Sequence, residues 1–271
     1  MASCSFSKSC SCFLSPLLSV ITPLLYESRQ HRRKGRESLD CSVGLQDLAR
    51  LNVKNIVTFD AHDVGIQNAV PLTSFENFYP TMTILNQFVK NEDIDLNNML
   101  IVAPDTGAAD RARLFADIFS TNVGMFYKRR DLTKVVNGKN PIIEHKYIGE
   151  DVKGKTIIVV DDMIASGESM LDVARSLKNL GASKVYLTAT FSLFTNGIEN
   201  FKKAYDEKAF DKVYSTNLTY VKKDLENEEW FVKVDCSKQI AKIIEHLNKK
   251  LPLTELLNDR KKITKNIQKF K

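Results

Sequence analysis

The chain has 271 residues, 43% hydrophobic and 27% charged, with a formal net charge of +6. That length allows one large or two modest domains with a sizeable core, and the composition is ordinary for a soluble enzyme. Five cysteines, with Cys4, Cys10 and Cys12 crowded at the start and Cys41 and Cys236 alone, argue against a disulfide framework and a zinc site, and for a reducing cytoplasm.

The positive charge is local. Residues 29–36 hold five basic residues and no acid, and residues 260–271 hold six and no acid. The tail at 251–271 reads as a solvated basic end, so no nucleic-acid partner is expected. Residues 1–19 are rich in Ser and Cys and remain unassigned. The apolar run at 13–25 is broken by Pro16 and Pro23, which leaves it too short for a membrane span. It also lacks the basic start and cleavage site of a signal peptide.

From there strands and helices alternate. Apolar Leu39, Val43, Leu45, Leu48 and Leu51 at near-helical spacing predict a helix over 38–51. A short strand at 55–59 runs into Asp60-Ala61-His62-Asp63, and 74–90 reads as a helix. A strand at 99–103 leads into Pro104-Asp105-Thr106-Gly107, where the glycine suits a tight turn before a helix over 108–120. The strand at 123–127 ends in Lys128-Arg129-Arg130, and 131–151 reads as a long irregular connection with a functional role.

The most informative stretch comes next. Thr156-Ile157-Ile158-Val159-Val160 reads as a buried parallel strand that ends in Asp161 and Asp162. Ser166, Gly167 and Ser169 then suit a turn whose backbone N–H groups surround an anion at a helix start. Such carboxylates at the carboxyl end of a strand, beside a phosphate turn, fit a sugar phosphate. Taken alone, the Asp-Asp pair fits an acidic strand end before an ordinary helix cap equally well; the whole string is far more specific. Strands at 184–190, 212–215 and 230–234 and a helix over 238–248 follow. The alternation predicts an α/β fold with a mainly parallel sheet flanked by helices.

The string from Ile158 to Ser169 resembles the phosphoribosyl-pyrophosphate loop of type I phosphoribosyltransferases. Together with the other motifs, residues 20–246 resemble the ribose-phosphate pyrophosphokinases. The resemblance implies a type I phosphoribosyltransferase-like fold in two parts: a remnant of the family's N-terminal domain at 20–72 and a nearly complete C-terminal domain at 73–250. It implies transfer of pyrophosphate from ATP to ribose 5-phosphate, with Mg²⁺ as cofactor and a homo-oligomeric assembly. Arg29 and Gln30 match the family's ATP loop. His62 matches the metal-binding histidine of a D-x-H motif, and Asp105 the aspartate near metal and ribose. Lys128 and Arg130 match the lysine and arginine that close over the transferring group. Asp161, Asp162, Ser166, Gly167 and Ser169 match the ribose 5-phosphate site.

Two departures stand out. Ala165 occupies a position where the family often has an acid, and Glu168 one where it usually has glycine. Nothing in residues 1–19 resembles the family loop that helps hold the adenine, so the resemblance implies that most of the first domain is lacking and that turnover by this chain alone is impaired. Two other readings stay open: a non-catalytic subunit that binds ribose phosphates, and a phosphoribosyltransferase that uses phosphoribosyl pyrophosphate as donor.

Overall fold

The structure is a computed structural model and describes residues 18–33, 35–130 and 142–257, with the side chains of 128–130 and 142–145 left aside. The described residues form two compact units, 18–80 with 239–257, and 81–238.

The first unit holds a parallel sheet of β1 (Leu18–Ile21), β2 (Val53–Phe59) and β3 (Ser74–Phe78), with β2 in the middle. Helix α1 (Asp40–Arg50) turns Cys41 and Leu45 into a core shared with Val53 and Ile56 of β2. The helix lies where the sequence predicts it, with Leu45 buried and Val43 exposed. The expected single helix over 74–90 divides instead. Ser74–Phe78 is held as a strand by its parallel pairing with Asn55–Phe59 of β2, and Pro80 interrupts the chain before the helix α2 (Thr81–Asn91) begins.

The second unit is a seven-stranded sheet in the order β10-β9-β8-β7-β4-β5-β6. Its strands are β4 (Met99–Ala103), β5 (Val123–Arg130), β6 (Ile142–Ile148), β7 (Thr156–Ile164), β8 (Lys184–Ser192), β9 (Lys212–Thr216) and β10 (Phe231–Val234). All pair in parallel except β6, which runs antiparallel to β5 at the edge. The expected irregular connection over 131–151 thus contains a strand; residues 131–141 lie outside the described part. Lys146 and Ile148 are exposed and Tyr147 is half-buried, as suits a strand at the sheet edge.

Helices cover both faces: α2, α3 (Ala109–Phe119), α4 (Glu168–Asn179), α5 (Glu199–Asp206) and α6 (Lys223–Glu226). Side chains alternate across the sheet. Ile157 and Val159 of β7 join Leu171 and Leu177 of α4 and Phe201 of α5 in one core, while Ile158 and Val160 join Phe88 of α2 and Phe115 of α3 in the other. Burial on both faces explains why β4 and β7 read as unbroken apolar runs. Helices α7 (Ser237–Asn248) and α8 (Thr254–Leu257) close the described chain.

Among the described residues, no helix is long and apolar enough to cross a membrane.

Candidate sugar-phosphate site

The carboxyl ends of β4 and β7 carry the chemistry of the second unit. Val102 lies opposite Val159 in the parallel register, so the two strands reach the same sheet edge three residues later, at Asp105 and Asp162. β7 continues past both carboxylates to Ile164, two residues further than the sequence suggested. The reason is pairing: Met163 and Ile164 stay in register with Phe191 and Ser192 of β8.

Because successive residues of a strand face opposite sides, Asp161 and Asp162 enter different surroundings. Asp162 is buried, and its Oδ2 lies 3.9 Å from Arg111 Nη2 of α3. Asp161 is half-buried and accepts the Asp162 backbone N–H at 2.8 Å. Its own burial, then the neighbouring Asp162 charge and hydrogen bond, and then the Asp105 charge push the Asp161 carboxyl well above the usual range. The pair therefore differs in character, with one carboxylate beside a guanidinium and its neighbour reluctant to ionise. Two acids that meet vicinal hydroxyls gain from this, because a neutral carboxyl donates as well as accepts.

Beyond Ile164 the chain turns through Ala165, Ser166 and Gly167 into α4. Gly167 has φ +79°, a left-handed conformation that side chains resist. A Cβ at this position would also stand 2.6 Å from Phe201 Cζ, so glycine is required twice over. Ser166 is half-buried, and Ser169 is exposed in the first turn of α4. A twelve-residue helix that starts here directs its first N–H groups and the positive end of its dipole to the same sheet edge.

Asp105 stands at an exposed turn, where its Oδ1 accepts the N–H groups of Gly107 at 2.8 Å and Ala108 at 3.2 Å. Lys128 and Arg130 belong to the last residues of β5; their side chains lie outside the described part.

The other anticipated residues belong to the first unit. Arg29 is exposed in a turn whose Glu27 has φ +45°. Gln30 is half-buried; its N–H donates to the Glu27 carbonyl at 2.7 Å and its Oε1 accepts from Ser38 Oγ at 3.4 Å. His62 follows Asp60, a buried residue at φ +40°, and its ring meets that of His31 edge-on at 5.3 Å. His31 Nε2 lies 3.1 Å from Asp63 Oδ2, with Arg32 Nη1 4.0 Å from the same oxygen.

The structure thus brings Asp105, Asp161, Asp162 and the Ser166–Gly167–Ser169 turn to one edge of one sheet. His62 and Asp105, expected at a common metal, belong to different units. Among the described residues, no group of three or more His, Cys, Asp and Glu is arranged to hold a metal ion. Arg111, His31 and Phe201 are not among the residues that the sequence singles out. Arg111 had a signal in its place at a helix start after Asp105; Phe201 had none.

The phosphoribosyl transferase domain family model matches residues 82–234. The ribose-phosphate pyrophosphokinase of Pyrococcus abyssi is 31% identical over 206 residues, 75% of this chain and 68% of that protein. The protein of the same name from Thermococcus kodakarensis is also 31% identical, over 75% of this chain and 69% of its own. The crystal structure of phosphoribosylpyrophosphate synthetase from Mycobacterium smegmatis superposes with a TM-score of 0.76, covering 90% of this chain and 76% of that one; at 20% identity this likeness concerns the fold alone. With its parallel sheet, its carboxylate pair and its glycine turn in the matched region, the chain belongs to the ribose-phosphate pyrophosphokinase family.

Proposed function

We propose that the protein transfers the pyrophosphoryl group of ATP to the C1 hydroxyl of ribose 5-phosphate, giving phosphoribosyl pyrophosphate and AMP. The observation that carries this reading is the union, within one strand–turn–helix, of the Asp161–Asp162 pair and the left-handed Gly167 at the start of α4. In this reading the turn, with Ser166 and Ser169, takes the 5-phosphate, and Asp161 and Asp162 take the ribose hydroxyls.

The C1 hydroxyl oxygen bonds to the β-phosphorus, the bond from that phosphorus to the α–β bridging oxygen breaks, and the hydroxyl proton passes to solvent. Such transfer needs positioning and charge neutralisation more than covalent help from the protein. Lys128 and Arg130 supply that neutralisation at the transferring group, and Arg29 with Gln30 holds the ATP phosphates. Mg²⁺, a hard cation that prefers oxygen ligands and keeps several waters, would neutralise polyphosphate charge when bound. The carboxylate of Asp105, at an exposed turn, would suit that cation. The same reading expects a homo-oligomer in a reducing cytoplasm, with Cys41 and Cys236 as buried free thiols.

Two measurements test it. Titration calorimetry with ribose 5-phosphate should give saturable heat, and its absence overturns the sugar site. Phosphorus NMR should then follow AMP and phosphoribosyl pyrophosphate appearing in equal amounts from ATP and ribose 5-phosphate. Binding without turnover retains the sugar site and assigns the deficit to the nucleotide or transfer step. Turnover of phosphoribosyl pyrophosphate with a nucleobase instead would replace this reading by a phosphoribosyltransferase.

A further inference from the structure

The turn between β7 and α4 rests on a floor built by a different part of the chain. The connection after β8 donates three backbone hydrogen bonds to it: Leu193 and Phe194 N–H to the Ile164 carbonyl at 2.9 and 3.2 Å, and Thr195 N–H to the Ala165 carbonyl at 3.0 Å. Phe194 holds φ +42° to make this approach, an unusual conformation for a large side chain. Phe201, one turn into α5, then places its ring against the backbone of Gly167. The ring is fully buried and itself braced, stacked on Trp230 at 5.7 Å and edge-on to Phe194 at 4.9 Å and Phe210 at 5.9 Å.

This arrangement serves a need that the glycine creates. Glycine reaches the left-handed conformation at no steric cost, but it reaches many others too. A turn of small residues around an anion works only when its N–H groups already point at the ligand. A rigid ring in contact with the glycine removes the space into which the turn would otherwise relax. We infer that Phe201 is a positioning residue for the sugar-phosphate turn, acting through Gly167 rather than touching the ligand. The inference rests on the proposed role of that turn.

The test is a double-mutant cycle on the full chain, with ribose 5-phosphate as probe. Phe201→Leu should weaken binding about 10-fold, because the ligand must then order the turn itself. Gly167→Ala should weaken it at least as much, since the new Cβ meets the ring. Replacing the ring relieves the Cβ clash but not the strain at φ +79°, so Gly167→Ala should cost less in the Phe201→Leu background than alone, and the two effects should not add. Hydrogen exchange is the second readout. In Phe201→Leu, amides of the turn at 165–171 should exchange faster, while those of β7 at 157–160 keep their protection. Phe201→Met takes the place of Phe201→Leu if the latter fails to fold.

Unchanged affinity in a folded Phe201 variant, strict additivity, or protection lost equally along β7 would each overturn the inference and leave Phe201 as core filling. If the unmodified chain gives no heat with ribose 5-phosphate, the proposed function fails on its own account. The exchange comparison still decides whether Phe201 positions the turn.

Discussion

Arg111 Nη2 lies 3.9 Å from Asp162 Oδ2, with only 11% and 3% of the two side chains exposed. The guanidinium thus reaches the carboxylate from the helix that follows the Asp105 turn, tying the ends of β4 and β7 together. Breaking a buried pair typically costs roughly 3–5 kcal/mol, and 3.9 Å is too long for a hydrogen bond, which favours the lower end. Arg111→Gln should therefore lower stability by about 3 kcal/mol in urea unfolding. It should also weaken ribose 5-phosphate binding; a variant as stable as the parent would show that the pair contributes nothing.

Asp161 offers the opposite balance. Its folded carboxyl titrates well above the ordinary value because burial, and then Asp162 and Asp105, oppose its charge. Over the window between the ordinary and the raised value, the native state binds more protons than the unfolded chain, so stability falls as pH rises. Asp161→Asn removes that loss and keeps an oxygen for the Asp162 N–H. The variant should melt higher than the parent at neutral pH, by about 2–4 °C for each kcal/mol relieved. The gap should close below the ordinary carboxylate range, and sugar-phosphate affinity should drop. Calorimetric melting across pH checks the sign, and a neutral-pH loss of stability would contradict it.

Glu92, just beyond α2, accepts from Tyr186 at 2.6 Å, Tyr214 at 2.5 Å and Lys212 at 2.8 Å. Burial alone would raise its carboxyl, but the hydrogen bonds from Lys212, Tyr186 and Tyr214 outweigh it and hold the group below the usual range. This contribution is present above the ordinary carboxylate value and is lost as pH falls through the depressed one. Glu92→Gln should cost about 1.5–3 kcal/mol at neutral pH, the scale of a charge-assisted hydrogen bond, with the difference fading in acid. Burial and the bond to Glu92 push both tyrosine hydroxyls up, so the parent should also lose stability above the ordinary tyrosine value of 10.0. Urea midpoints over a pH series read both limbs; a pH-independent difference would rule out the linkage.

Lys128 carries a prediction of the proposed reaction. Its charge matters most as the pyrophosphoryl group separates from AMP, so its loss falls on the transition state. Lys128→Ala, in any form of the protein that turns over, should depress kcat far more than it raises KM for ribose 5-phosphate. Steady-state kinetics with an unchanged kcat would remove Lys128 from the mechanism.

The amino-acid sequence by itself determined most of the alternation of strands and helices and the place of the glycine turn between β7 and α4. Those features are local: a β-branched run between 156 and 160 extends wherever it is buried, and only a glycine such as Gly167 adopts φ +79° without strain. Tertiary structure decided the rest. Strand β6 was illegible because its residues show no polar–apolar alternation and the strand gains its order from antiparallel pairing with β5. The different characters of Asp161 and Asp162, adjacent and chemically identical in the sequence, come from the two faces of β7 and from Arg111. Phe201 stands 34 residues from Gly167. Only the pairing of β7 with β8, and the return of the chain through α5, brings that ring beneath the turn.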